Sequence, residues 1–192
     1  MVENKDINPN DLNKFRDWIR KAEERKEKKR GERKELRLKW ETLTPAKLRR
    51  ELDRKLTDYC WHLEGHPEGM DGAQRVDVVG EPKSRDHLVC IEVERGKAHS
   101  IDNVVKVWRY IEENSDSKPV LLVQIFSPYF YAKTGNKRRM KETIFIGKQA
   151  EKATNKLKYE PLGQEYWPPS EDSKLDTLTD KISSLIAYER NK

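Results

Sequence analysis

The sequence predicts an α/β domain, a mixed central sheet flanked by helices, preceded by a charged helical arm. Three observations predict it. Over residues 87–126, two apolar runs bracket a segment with helical periodicity, giving the order strand, helix, buried strand. The second run, PVLLVQIF at 119–126, is dominated by apolar residues, as in a strand covered on both faces. Leucines recur at helical spacing after Thr44-Pro45 and again near Leu178.

Taken in order, residues 1–10 are polar and carry no pattern. From Asp11 the spacing of Leu12, Phe15, Trp18 and Ile19 predicts a helix, which continues into KAEERKEKKRGERKELRLK. That stretch is charged nearly all round, as in a solvated helix held by i,i+4 ion pairs. It assigns residues 1–43 to an arm, whose functional reading is a basic surface along phosphates or a helix for dimer contacts. A domain over 44–192 opens at Thr44-Pro45, an N-cap hydroxyl and a first-turn proline. Leu48, Leu52, Leu56, Tyr59 and Leu63 then predict one continuous helix facing a core, ended by Gly65, Pro67 and Gly69.

A loop through Gly72 leads to a short strand at 75–79, closed by GEP at 80–82. HLVCIEVE at 87–94 reads as a buried strand that turns polar at its end, broken by Gly96. In SIDNVVKVWRYIEE, Ile101, Val104, Val105, Trp108 and Ile111 share a helical face, with Trp108 expected in the core. The strand at 119–126 then implies a right-handed βαβ crossover. A basic loop, KTGNKRRMK at 133–141, is expected to precede a strand, ETIFIG at 142–147. YEPLGQEYWPPSED at 159–172 reads as a Pro-rich connection packed down by Trp167. Leu178, Ile182, Leu185 and Ile186 predict a C-terminal helix.

Hydrophobic residues are 34% of the 192 and charged residues 39%, with a net charge of +6. The basic balance favours a polyanionic partner. Cys60 and Cys90 form no CxxC pair, which fits a reduced compartment. MVENKDINPN has no apolar signal region. No run approaches the roughly 18 apolar residues that span a bilayer, so a soluble cytoplasmic protein is expected. Cys60, His62 and His66 lack a second ligand pair at a suitable spacing, which argues against structural zinc.

The chemistry-bearing pattern lies in the carboxylates. Residues two apart in a strand share a face, so Glu92 and Glu94 project together while Val93 points away. Asp77 lies within RVDVV, between apolar neighbours. If the two strands pair, three carboxylates converge at the end of an apolar sheet. Burying an unpaired carboxylate costs several kcal/mol, and a divalent cation with hard oxygen ligands, such as Mg2+, supplies the counter-charge.

Asp77, then Glu92-Val93-Glu94 at a strand end, resembles the metal-binding core of PD-(D/E)XK nucleases. Glu94 stands where most members carry lysine, as in the Glu-x-Glu form of BamHI-like restriction endonucleases. The likeness covers roughly residues 50–126 and extends through IEVERGKAHSIDNVVKVWRYI and ELDRKLTDYCWHLEGHP. It implies a restriction endonuclease-like fold and a Mg2+-dependent DNA endonuclease that leaves 5′-phosphate and 3′-hydroxyl ends. It also implies that Asp77 and Glu92 hold Mg2+, with the Val93 carbonyl as a further ligand. Glu94 would accept a proton from water or bind a second ion, and Glu64 would be an outer ligand or hold a Lys or Arg in place.

Double-stranded DNA is the expected substrate and a homodimer the expected assembly, since cutting both strands needs two sites. Lys97, Lys133, Lys137, Arg138, Arg139 and Lys141 are the candidate DNA contacts. Ser100 is a candidate cap for the helix that it opens. Restriction or phage defence is the context that the resemblance suggests. Alternatives are a repair or junction-resolving nuclease, a catalytically inactive DNA-binding protein of this fold, or an interaction protein built on the charged helix.

Overall fold

In the computed structural model, residues 9–65, 67, 75–96, 100–132, 134–170 and 173–190 are described. Side chains are left aside for 9–16, 33, 36–40, 189 and 190. Contacts divide the chain between Leu38 and Lys39. The first unit is helical: α1 spans Pro9–Trp40 and runs into the start of the second.

The second unit is an α/β domain around one five-stranded sheet. Its strands are β1 (Tyr59–Gly65), β2 (Val76–Pro82), β3 (Leu88–Glu94), β4 (Val120–Phe126) and β5 (Leu157–Leu162), in spatial order β1-β2-β3-β4-β5. The first two pairings are antiparallel and the last two parallel, so the sheet is mixed. The helices are α2 (Pro45–Lys55), α3 (Ser100–Glu113), α4 (Tyr129–Ala132), α5 (Thr134–Ala153) and α6 (Asp176–Arg190).

Two apolar layers sandwich the sheet. On one face Leu48 and Leu52 of α2 and Leu178, Ile182 and Ile186 of α6 pack on Val89, Ile91, Val93, Leu121, Val123 and Ile125. On the other, Val104, Val107, Tyr110 and Ile111 of α3 and Ala150 of α5 pack on Val79, Cys90, Leu122 and Tyr159. Central strands covered on both sides account for β3 and β4, which are buried along their whole length.

Several expected elements differ. The helix opened by Thr44, whose hydroxyl accepts the Lys47 amide at 3.2 Å, stops at Lys55. Leu56 turns the chain out of helical geometry, and Tyr59–Gly65 becomes β1. Tyr59 and Trp61 alternate into the core there, so aromatic residues at spacing two override the Leu56–Tyr59–Leu63 helical spacing. Leu63 is exposed instead of core-facing.

The expected basic loop and the strand at 142–147 are one helix, α5, from Thr134. Met140, Thr143, Gly147 and Ala150 are its buried residues, a helical spacing, while Phe145 points outward. The expected Pro-rich connection contains β5 in its first half, reached by a second parallel crossover through α5. Trp167 is buried, as expected of the connection's second half. On α3 the buried face runs Val104, Val107, Tyr110, Ile111, so Val105 is exposed and Trp108 only partly buried. No helix among the described residues is long and apolar enough to cross a membrane.

Candidate active site

The α3/α5 face of the sheet changes from apolar to polar at one end, on three neighbouring strands together. On β2 the change runs from Val79 to Asp77, on β3 from Cys90 to Glu92 and Glu94, and on β4 from Leu122 to Gln124. Val78↔Ile91 pairing brings Asp77 beside Glu92, and Glu92 itself pairs with Gln124. This is the carboxyl end of parallel β3 and β4, where ligands of α/β folds bind.

A cavity of about 230 Å3 opens there, lined by Asp77, Glu92, Val93 and Glu94 together with Arg75, Arg95, Asn103 and Lys106. A larger hollow of about 470 Å3 lies at the opposite end of β4 and β5, beside Pro119 and Leu157. Its His87 is engaged already, between Asp86 and the Tyr59 hydroxyl. The smaller cavity is the candidate site because it gathers buried charge.

Each acid is held differently. Past the β2–β3 pairing, Asp77 Oδ2 accepts the Val93 amide at 2.9 Å, so a side chain continues the ladder. Glu94, 4% exposed, receives Asn103 Nδ2 at 2.8 Å and Gln124 Nε2 at 2.7 Å, both on Oε1. Gln124 is fixed in turn by the Tyr159 hydroxyl at 2.7 Å and by the Ser100 carbonyl at 2.8 Å. Burial raises the Glu94 carboxyl, and the two amide bonds oppose that rise. Burial, reinforced by the Glu94 charge, also raises the Tyr159 phenol.

Glu92 is 2% exposed. Its Oε1 lies 2.6 Å from Lys106 Nζ. Among the described residues no other donor reaches Oε1. Burial raises this carboxyl, the Lys106 charge opposes the rise and the Asp77 charge adds to it, which together put it at about 8. Lys106 also donates to the Arg75 carbonyl at 2.5 Å and to Asn103 Oδ1 at 2.9 Å.

A divalent cation fits this arrangement in one form. Among the described residues no three His, Cys, Asp or Glu side chains close on a single point as a ligand set. Asp77 and Glu92 are two hard carboxylates on one cavity, with Lys106 the cation now beside Glu92. Mg2+ typically takes one or two carboxylates and keeps several waters. The residues therefore suit one ion held by Asp77 and Glu92, whereas Glu94 Oε1 is committed to its two amides.

The remaining expected site residues fall elsewhere. Glu64 sits at the exposed end of β1 and does not line the cavity. Its Oε2 accepts from Arg75 at 2.9 Å, so it touches the site through that arginine. Lys137, Arg138, Arg139 and Lys141 are exposed on the first half of α5, which starts beyond the same end of β4, and none lines the cavity. Arg138 pairs with Glu142 at 2.8 Å. Lys97 and Lys133 lie outside the described residues, as does His66; His62 is an exposed strand residue rather than a helical one.

Glycine at 96 has a physical reason: φ is +117°, and a Cβ would meet the Tyr129 ring at 2.7 Å. Ser100 does not act as a helix cap; it is the first residue of α3, and its hydroxyl bonds Thr143 Oγ1 at 2.7 Å. Sequence reasoning missed Lys106, Asn103 and Gln124. The signal for the first two was an i,i+3 polar pair on the helix that follows the acidic strand, and for Gln124 a lone amide inside an apolar run. No family model, curated protein or solved structure matches the chain.

Proposed function

We propose that the chain is a metal-dependent phosphodiester hydrolase acting on duplex DNA, of the PD-(D/E)XK kind in its Glu-x-Glu form. One observation carries the reading. Three adjacent central strands turn polar at the same end and face, burying the Glu92 carboxyl beside Asp77 in one cavity with Lys106 Nζ 2.6 Å away as its counter-charge. Gathering two carboxylates there costs stability, which a cation bound between them would offset.

In this reading Asp77 and Glu92 hold Mg2+, which when bound lowers the pKa of a water and offsets charge on a phosphate. Glu94 is oriented by Asn103 and Gln124 on Oε1, and Oε2 is the atom that takes the proton from the attacking water. Lys106 supplies from α3 the cation that position 94 lacks and meets charge developing on phosphate oxygens. Arg75 and Arg95 at the cavity wall attract the same anion. Cutting both strands of a duplex then needs two such sites, as in a homodimer.

The test uses supercoiled plasmid with Mg2+ or with EDTA, comparing wild type with Asp77→Asn and Glu92→Gln. The expected result is cleavage that EDTA abolishes and that each variant lowers by more than about a hundredfold, beyond what outer-shell partners cost. Undiminished cleavage by either variant removes the site. The Lys106–Glu92 pair favours a second reading, a catalytically inactive DNA-binding protein, because it neutralises the acid without a metal. Salt-sensitive binding with no Mg2+-dependent cleavage by the wild type selects that reading.

A further inference from the structure

The net charge of the chain is concentrated in one element. Pro9–Trp40 carries 13 Lys and Arg against seven Asp and Glu, an excess of six that equals the +6 of the whole chain. The other residues balance, 27 against 27. A helix of this composition buries no apolar stripe of its own, and its described side chains from Asp17 to Glu35 are exposed apart from Ala22.

Between Trp18 and Lys29 the charges on α1 are also sorted by face, the next residue of that face being Glu32. Trp18, Lys21, Ala22, Arg25, Lys26 and Lys29 line one shallow groove along the helix. Their spacing of three, four, seven, eight and eleven residues is that of a single helical face. No acid lines it. Asp17 and Glu24 lie to the other side, where both pair with Arg20 at 3.3 and 3.1 Å. Lys21, Arg25, Lys26 and Lys29 make no ion pair among the described residues, so four cations share a strip roughly 12 Å long at 1.5 Å per residue. Trp18, 66% exposed, sits at its amino end.

We infer that this face of α1 is a binding surface for the phosphate backbone of duplex DNA. Like charges placed side by side on an exposed strip repel one another, and helix stability alone would favour interspersed acids, as the opposite face has. A strip of unopposed cations is matched by a polyanion of regular charge spacing, and duplex DNA presents one charge per about 1.7 Å of axis. The choice of DNA over another polyanion rests on the hydrolase reading. The binding itself does not, because the strip requires neither Asp77 nor Glu92. The arm supplies sequence-independent affinity, and the near-neutral α/β unit supplies the site.

The test is fluorescence anisotropy of the full chain on a labelled 25-base-pair duplex, in EDTA, over a series of salt concentrations. The triple variant Lys21→Gln/Arg25→Gln/Lys29→Gln is compared with a control that removes the same charge from other faces, Arg20→Gln/Arg30→Gln/Lys34→Gln. The strip triple is expected to bind at least about tenfold more weakly near 0.1 M salt. Its log K against log salt slope should fall by about 2.7, at about 0.9 per lost phosphate contact. The control triple should change affinity less than about threefold.

Lys21→Arg/Lys29→Arg keeps the charge and should bind as wild type, which excludes a folding effect. Equal weakening in the two triples, or none in either, overturns the proposal. So does competition by polyglutamate as effective as that by unlabelled duplex, since the partner would then be an acidic polypeptide. All arms are read without metal, so loss of binding and loss of plasmid cleavage are separate failures.

Discussion

At the scale of single residues, the site depends on how a buried carboxylate is tolerated. Glu92 is almost wholly excluded from solvent and has Lys106, 13% exposed, as its counter-charge. Because burial lifts the carboxyl to about 8, the folded state takes up a proton between the ordinary carboxylate range and that value. The unfolded state is already ionised there, so the contribution of this group to stability falls as pH rises through the window. Lys106→Met removes the influence that lowers the carboxyl, which extends the window upward. The expected stability difference from wild type is within about 1 kcal/mol near pH 5, where Glu92 is neutral in both. It grows by about 1.4 kcal/mol at most by pH 9, because wild-type Glu92 ionises only above about 8 and one pH unit of differential ionisation is worth about that much. Urea unfolding across this pH range checks it, and a pH-independent difference would count against the pairing. Asp77, Glu92 and Glu94 were legible in the sequence because strand parity alone fixes which residues share a face. Lys106 and Asn103 were not, since their facing depends on the rotational setting of α3, which is set by Val107 and Tyr110 rather than by Val105. Gln124 was hidden because one amide among seven mostly apolar residues leaves a buried strand looking uniform.

At the scale of elements, the misread segments share a cause: local propensity lost to packing. ETIFIG has a strand-forming composition, yet Thr143 and Gly147 lie on the buried side of a 20-residue helix. Small residues there let α5 approach β5. A Cβ on Gly147 would stand 2.3 Å from Cε1 of Tyr159, whose hydroxyl holds Gln124 and through it Glu94. Helix propensity alone favours alanine over glycine by about 1 kcal/mol. Overpacking outweighs it, and Gly147→Ala should destabilise the protein by about 1–3 kcal/mol in urea unfolding. Gly135, on the same helix, has nothing within 4 Å of its virtual Cβ. Gly135→Ala should be neutral or stabilising by up to about 1 kcal/mol. If the two variants behave alike, the close α5–β5 approach is wrong. β1 follows the same logic in reverse, since the helical spacing of Leu56, Tyr59 and Leu63 is real but buries less than Tyr59 and Trp61 do in a strand, 5% and 4% exposed.

At the scale of the whole molecule, core and charge are allotted to different parts of the chain. Every residue of the three apolar clusters lies between Leu43 and Ile186. The net charge resides in α1, outside that interval. The sheet and its covering helices therefore draw their cohesion from residues 43–186, and the contact division between Leu38 and Lys39 falls just before them. A chain starting at Lys39 keeps every described side chain of the three apolar clusters, so its cooperative thermal unfolding should persist with a midpoint within about 5 °C of the full chain. That shift corresponds to roughly 1–2 kcal/mol for a domain of this size. The same truncation removes Lys21, Arg25, Lys26 and Lys29, so salt-steep duplex binding should fall to near the detection limit while the Asp77–Glu92 cavity is retained. Calorimetry and anisotropy on the one truncated protein measure both quantities. A truncated chain that does not unfold cooperatively would mean that α1 is part of the fold's support, and undiminished duplex binding would move the electrostatic surface to the α/β unit, with Arg75, Arg95 and the basic start of α5 as its next candidates.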